Sequence, residues 1–256
     1  LTFSRPLPSF LPVRRKRQGV TPSSQKGNHS VERGGSFPEP DAALLQDTEL
    51  ETKGTGREGT MKNIVRFLFE VGMLKKTPRT GYQFLGSGAE SVADHSFRTA
   101  VIGYILASHE PKADRNKVVL MCIFHDLAEA RTGDHNYVNK RYVKVDEHEA
   151  LRDQVRELSL GEEILSLVTE FNGSGTLEAR IAKDADQMDL ILELKEQLDS
   201  GNPNARDWLF FAVKRLSTKT AKKMAEEALT SHSTDWWFEK KTDWWINGAN
   251  RQPPKK

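Results

Sequence analysis

Two imidazoles and a set of carboxylates in this chain have the types and spacing of a divalent-cation site. A His-Asp doublet, His125-Asp126, lies in the most apolar stretch of the sequence, Val118-Val119-Leu120-Met121-Cys122-Ile123-Phe124-His125-Asp126-Leu127-Ala128-Glu129. A helix that is apolar nearly all round is a buried one. Burying a polar group without a partner costs about 2–7 kcal/mol, and a charge costs more. A metal ion meets that cost by replacing lost water with direct ligation. Glu129 follows His125 by four residues and, on a continuous helix, stacks on the same face. His95 shares a face with Val92, Thr99, Ile102 and Leu106 at 3-4-3-4 spacing; by itself it reads more readily as a core histidine than as a ligand. A further carboxylate comes from residues 178–190. Asp186 lies on an inward stripe with Ala182, Leu190 and Leu194, but Asp184 and Asp189 are equally acidic, and spacing alone does not separate the three.

The elements that must position these groups are helices. The chain has 256 residues, 37% hydrophobic and 29% charged, with a formal charge of +2. That is enough for one substantial core. No apolar run approaches the eighteen residues of a membrane span. The single cysteine, Cys122, excludes an internal disulfide and fits a reducing compartment, so a cytoplasmic location is expected,. As a nucleophile Cys122 would pair with His125; a small buried hydrophobe is the favoured reading, because a thiol in apolar surroundings is inert. Beyond residue 60 basic and acidic side chains balance at 29 each, so no nucleic-acid polymer is expected as a partner.

The chain divides near Met61. Residues 1–60 are rich in Pro, Gly, Ser and charge, cannot offset their ordering entropy by burial, and are expected to be a disordered extension,. Within them Arg14-Arg15-Lys16-Arg17 reads as a solvated charge run. The first residue is Leu1, and the ordered pattern starts at Met61, so residues 1–60 are expected to be an upstream extension of the reading frame. From Met61 the reading is all-α: an apolar opening helix through Leu74, a loop over 78–88, then helices over 91–108, 114–131, 145–158, 162–171, 177–198 and 203–229. Ser91 and Asp94 form a capping-box pattern, and Gly133 ends the central helix. Residues 231–256 are a tail with Trp236, Trp237, Trp244 and Trp245, read as packing surface rather than a nucleotide platform,.

The order His95, His125-Asp126, Asp186 resembles the H…HD…D signature of the HD-domain phosphohydrolases, and in particular their 5′-deoxynucleotidase branch. The stretches that carry the resemblance are Leu74-Lys75-Lys76-Thr77-Pro78-Arg79-Thr80-Gly81, Glu90-Ser91-Val92-Ala93-Asp94-His95-Ser96, His125-Asp126-Leu127-Ala128-Glu129 with Thr132-Gly133-Asp134, and Lys183-Asp184-Ala185-Asp186. The resemblance implies a compact HD-domain helical bundle over residues 61–230, a homodimer, and a metal held by His95, His125, Asp126 and Asp186. It is the resemblance that selects Asp186 among the three aspartates.

This mixed nitrogen and oxygen set suits Mn, Co, Fe, Zn or Mg. A bound divalent ion polarises a phosphoryl oxygen and lowers the pKa of water, help that phosphate-monoester hydrolysis requires. Glu129 is expected as general acid or base, and Arg79 as the phosphate clamp, because its planar fork matches phosphate oxygens. Where relatives place an aromatic directly after this arginine, Thr80-Gly81 intervene and the next aromatic is Tyr82, which is taken as substrate-binding. Asp134 is expected at a sugar hydroxyl, or with Glu129 and the His135 carbonyl at a second ion. The implied activity is hydrolysis of (deoxy)nucleoside 5′-monophosphates to nucleoside and phosphate. The alternatives are an HD-type hydrolase of nucleoside triphosphates or cyclic dinucleotides, and a non-catalytic HD module that binds nucleotide and regulates a partner.

Overall fold

The computed structural model describes residues 60–238. The readings placed on residues 1–59 and on Trp244 and Trp245 lie outside the described residues. Among the described residues all regular structure is helical: α1 (Met61–Val71) with a 3₁₀ turn (Gly72–Lys75), α2 (Tyr82–Leu85), α3 (Val92–Ser108), α4 (Arg115–Phe124), α5 (Glu129–Thr132), α6 (Asn139–Tyr142), α7 (Glu147–Val155), α8 (Gly161–Gly173), α9 (Leu177–Asp199), α10 (Ala205–Val213) and α11 (Lys219–Thr230). The strand-like pairing present is one isolated bridge, Pro78 to Ser91.

Helices α3, α4 and α9 pack on one another and hold the centre of the fold. Each starts at a side-chain cap that satisfies otherwise orphaned N–H groups. In α3 the Ser91 hydroxyl accepts from the Asp94 N–H and the Asp94 carboxylate accepts from the Ser91 N–H. Asp114 accepts from the N–H groups of Asn116 and Lys117, and Thr176 accepts from that of Ala179. Leu106, Met121, Ile181, Met188, Ile191 and Leu194 fill the space between them and are shut off from solvent, each contributing roughly 1.5–3 kcal/mol by burial. Cys122 belongs to this core. A second cluster, Leu74, Val92, Leu127, Leu151, Val155 and Ile164, sits under the first helix and α7–α8.

The central helix departs from the continuous 114–131 helix that the pattern predicts. Helix α4 stops at Phe124, and Leu127 and Glu129 bond back three residues, to the carbonyls of Phe124 and Asp126. In such a tight turn residues three apart eclipse, so the four-residue register of a continuous helix that would set Glu129 on His125 is interrupted. The reason is packing: Val118, Met121 and Cys122 face the first core, while Leu127 and Ala128 face the second. The HD doublet is the corner where the chain crosses between them.

Three further boundaries differ. The 78–88 loop contains the short α2. The 145–158 helix is shorter, α7, and α6 precedes it. The 203–229 helix is two, α10 and α11, because Asp184 takes the chain at Ser217-Thr218 into its own hydrogen bonds.

Candidate metal centre

His95, on the first turn of α3, is fully buried. Its Nδ1–H donates to Asp189 of α9 at 2.6 Å, which directs the Nε2 lone pair into the cleft. His125 closes α4, and its Nδ1–H donates to the Cys122 carbonyl at 2.8 Å. That carbonyl is an acceptor only, so Nδ1 carries the proton and Nε2 is again free. The two rings meet edge to face with centroids 5.5 Å apart. Both Nε2 atoms are buried without a hydrogen-bond partner among the described residues.

The carboxylates of Asp126 and Asp186 converge on those nitrogens. Asp126 Oδ2 is 3.1 Å from His125 Nε2 and 3.7 Å from His95 Nε2; Asp186 Oδ1 is 3.1 Å from His95 Nε2. Donors bound at about 2.0–2.2 Å to one ion lie at about such separations from one another. The electrostatics ask for a cation as well. Burial disfavours a charged imidazole, yet the carboxylates of Asp186 and Asp189 push His95 up to about 10, and Asp126 raises His125 against the same burial. Burial would raise the Asp126 carboxyl, but His125, His95 and Arg79 hold it well below the usual carboxylate range. The donor set therefore fits a divalent ion: two free imidazole nitrogens, two carboxylates, and a net demand for positive charge.

Asp189 and Asp184, the other two candidate aspartates of α9, have different work. Asp189 accepts from His95 and from Arg98 Nε, so it fixes the ligand ring from behind. Asp184 is buried and accepts four hydrogen bonds, from the backbone and hydroxyl groups of Ser217 and Thr218, which ties the start of α11 to α9. Arg98 spans Asp189, Glu193 and Glu196. The sequence reading passed over Arg98, although its position three after His95, facing acids at 189, 193 and 196, is a legible signal.

Arg79 reaches the cleft from the loop that the Pro78–Ser91 bridge and its own N–H to the Glu90 carbonyl pin down. Its guanidinium lies 3.5 Å from Asp126 and 4.0 Å from both Asp134 and Glu90. None of these is a close two-point pairing, so the fork remains available to an anion. Glu129 is buried, and its Oε2 has no partner. Burial first, then the charges of Asp126 and Asp134, raise its carboxyl well above the ordinary range. Burial, then Asp189 and Glu193, push Glu90 up to about 7. Asp134 clamps the Thr80 N–H at 2.6 Å and the Thr80 hydroxyl at 3.1 Å. Tyr82 donates to Glu193. His135 lines the cleft.

The cleft has two mouths that share Asp126, Glu129, Lys140, Asp186 and Gln187. One is lined by Tyr82, Leu85, Tyr137, Leu190 and Trp208. The other gathers Arg180, Lys183 and Arg215 together with the acids Glu147 and Asp184. Arg180 and Lys183 come from α9 and Arg215 from the turn after α10, so spacing along the chain does not announce the grouping. The sequence reading also passed over Trp208, which lies fifteen residues past Glu193, the last acid lining the aromatic mouth, on a different helix.

An all-helical bundle that brings His95, His125 and Asp126 within 4.8 Å of one another, with Asp186 3.1 Å from His95, defines a helical domain with a candidate metal centre. The sequence profile of the HD domain family matches residues 71–228, and the chain belongs to that family. It is similar to the 5′-deoxynucleotidase HDDC2 of Mus musculus, 30% identical over 155 residues, covering 58% of this chain and 76% of the relative. It is also similar to the 5′-deoxynucleotidase hdd1 of Schizosaccharomyces pombe, 33% identical over 144 residues, covering 52% and 72%. Among solved structures, a conserved hypothetical protein from Pyrococcus furiosus superposes with a TM-score of 0.59 at 30% identity, over 65% of this chain and 99% of that one.

Proposed function

We propose that the chain is a metal-dependent phosphomonoesterase that hydrolyses (deoxy)nucleoside 5′-monophosphates to nucleoside and phosphate. The observation that carries the proposal is the convergence of two unpartnered imidazole nitrogens with Asp126 and Asp186, beside Arg79, whose contacts to Asp126, Asp134 and Glu90 include no close two-point pairing. The names of the relatives, 5′-deoxynucleotidases, support the substrate class.

His95, His125, Asp126 and Asp186 would hold the ion, which could be Mn, Co, Fe, Zn or Mg. When bound, it supplies Lewis acidity toward the phosphoryl group and an acidified water. Arg79 binds the phosphate oxygens and fixes the ester for attack. Asp134 holds the Thr80 backbone, and with it the loop that carries Arg79. Glu129 keeps a proton on its buried carboxyl, because burial, Asp126 and Asp134 disfavour its charge. It can deliver that proton to the departing 5′-oxygen. Tyr82, braced by Glu193, closes the sugar side of the cleft.

The assembly we propose is a homodimer formed through the apolar face of α1 and α3. Leu68, Phe69, Phe97 and Tyr104 are 60%, 78%, 73% and 51% exposed there, a large apolar area for a monomer surface. No helix among the described residues is long and apolar enough to cross a membrane, and the lone thiol suits a reducing, cytoplasmic compartment,.

The test is phosphate release from ribo- and deoxyribonucleoside 5′-monophosphates, nucleoside triphosphates and cyclic dinucleotides, each with several divalent ions. Turnover of monophosphates above the others is expected. Turnover confined to triphosphates or cyclic dinucleotides would assign the basic mouth as the phosphate site, and binding without turnover would leave a regulatory module.

A further inference from the structure

Apart from Glu129 Oε2 and Gln187 Nε2, which it shares with the basic mouth, the aromatic mouth has a buried polar group in its wall without a partner among the described residues. Tyr82 gives its hydroxyl to Glu193, and the Tyr137 hydroxyl accepts from Arg215. The Trp208 indole N–H is buried and has no acceptor among the described residues. Trp208 comes from α10, lines the same mouth, and meets Tyr137 edge to face at 5.9 Å. Its ring is seated against Gly81, two residues after Arg79: a Cβ at position 81 would lie 2.8 Å from the indole. The glycine thus leaves the space that the tryptophan fills, and a rigid aromatic wall stands beside the loop that presents the phosphate-binding arginine. Leu85 and Leu190 complete an apolar lining. A flat heterocycle with hydrogen-bond acceptors matches such a wall, since aromatic faces stack bases whatever their identity and an indole N–H in a buried wall calls for an acceptor.

We propose that Trp208 is a specificity-determining residue of this site: its ring packs against the nucleoside part of the substrate and its N–H donates to an acceptor there. This rests on the phosphomonoesterase reading for the identity of the ligand. The consequence is selection for a nucleoside over a bare sugar phosphate, with little discrimination among bases. Gly81 is part of the same device, because any side chain there displaces the indole.

Binding of a product nucleoside, deoxyadenosine or thymidine, to the full chain measures the contact without phosphate or turnover. Titration calorimetry is expected to show weakening of about tenfold or more in Trp208→Ala. In Trp208→Phe, which keeps a ring and loses the N–H, a smaller loss is expected. In turnover, KM for deoxynucleoside 5′-monophosphates rises in both variants, while KM for deoxyribose 5-phosphate stays at the wild-type value. Gly81→Ala shifts the two KM values in the same unequal way. Equal nucleoside affinity in wild type and a folded Trp208→Phe or Trp208→Ala overturns the proposal, as does no nucleoside binding by the wild type. If no nucleotide is turned over, the activity reading fails, while nucleoside binding still decides the role of Trp208.

Discussion

Asp189 Oδ2 accepts from His95 Nδ1 at 2.6 Å, and both side chains are shut off from solvent. The bond sets the tautomer of His95 and aims Nε2 at Asp126 and Asp186. Partners of this kind typically change metal affinity by about 10–100-fold when altered. Asp189→Asn keeps the size and an acceptor but loses the charge that holds both His95 and Arg98. A loss of ion affinity of about tenfold or more is expected by calorimetry; unchanged affinity would show that the ring needs no such support.

The three aspartates Asp184, Asp186 and Asp189 separate by experiment. Asp184→Ala removes the acceptor for Ser217 and Thr218 at the start of α11, and should cost about 2–3 kcal/mol of stability without changing ion affinity. Asp186→Ala should abolish ion binding while far-UV circular dichroism stays native. A stable Asp184→Ala protein that no longer binds metal would reverse these assignments.

How much of this the sequence disclosed follows from what kind of interaction set each feature. Local signals were legible: the Ser91–Asp94 capping box, the buried stripe Val92, His95, Thr99, Ile102 and Leu106, and the start of α9 at Leu177. The corner at His125-Asp126 was not, because no Gly or Pro marks it; competition between two hydrophobic clusters for Met121 and Leu127 makes the turn. The break before α11 was hidden for the same reason, since its cause, Asp184, lies 33 residues away. The metal ligands were chosen by resemblance to a signature; the geometry brings His95, His125 and Asp126 within 4.8 Å of one another and sets Asp186 3.1 Å from His95. The division of labour among Asp184, Asp186 and Asp189 became visible only with their partners in place.

Cys122 should be inert. Its side chain lies in the core, and burial, then the charge of Asp186, raises its thiol. Raising the pH from 7 to 9 should leave alkylation of the native protein negligible, whereas the unfolded chain reacts at once; labelling of the native fold at the rate of a free thiol would contradict this. The same region gives a packing test. A Cβ at Gly103 would lie 2.7 Å from the Cys122 sulfur and 3.1 Å from Val118, so Gly103→Ala should force α3 from α4 and lower stability by about 1–3 kcal/mol.

Glu129 lies one tight turn past Asp126, its N–H bonded to the Asp126 carbonyl, and carries an unpartnered Oε2. If it moves the proton, Glu129→Gln should lower kcat by about 10²–10⁴-fold, with ion affinity close to that of the wild type. Retained kcat would exclude the role; lost ion affinity would instead make Glu129 a ligand.

The central claim is that His95, His125, Asp126 and Asp186 hold a divalent ion on which hydrolysis of a nucleotide monoester depends. The most direct measurement is phosphate release from a deoxynucleoside 5′-monophosphate by protein stripped with a chelator and then titrated with Mn, Co, Fe, Zn or Mg, beside Asp126→Ala treated identically. The account predicts no release from the stripped protein, saturable recovery with at least one ion, and no recovery in the variant at any ion concentration. Equal release by Asp126→Ala, or full activity in the stripped protein, would contradict it.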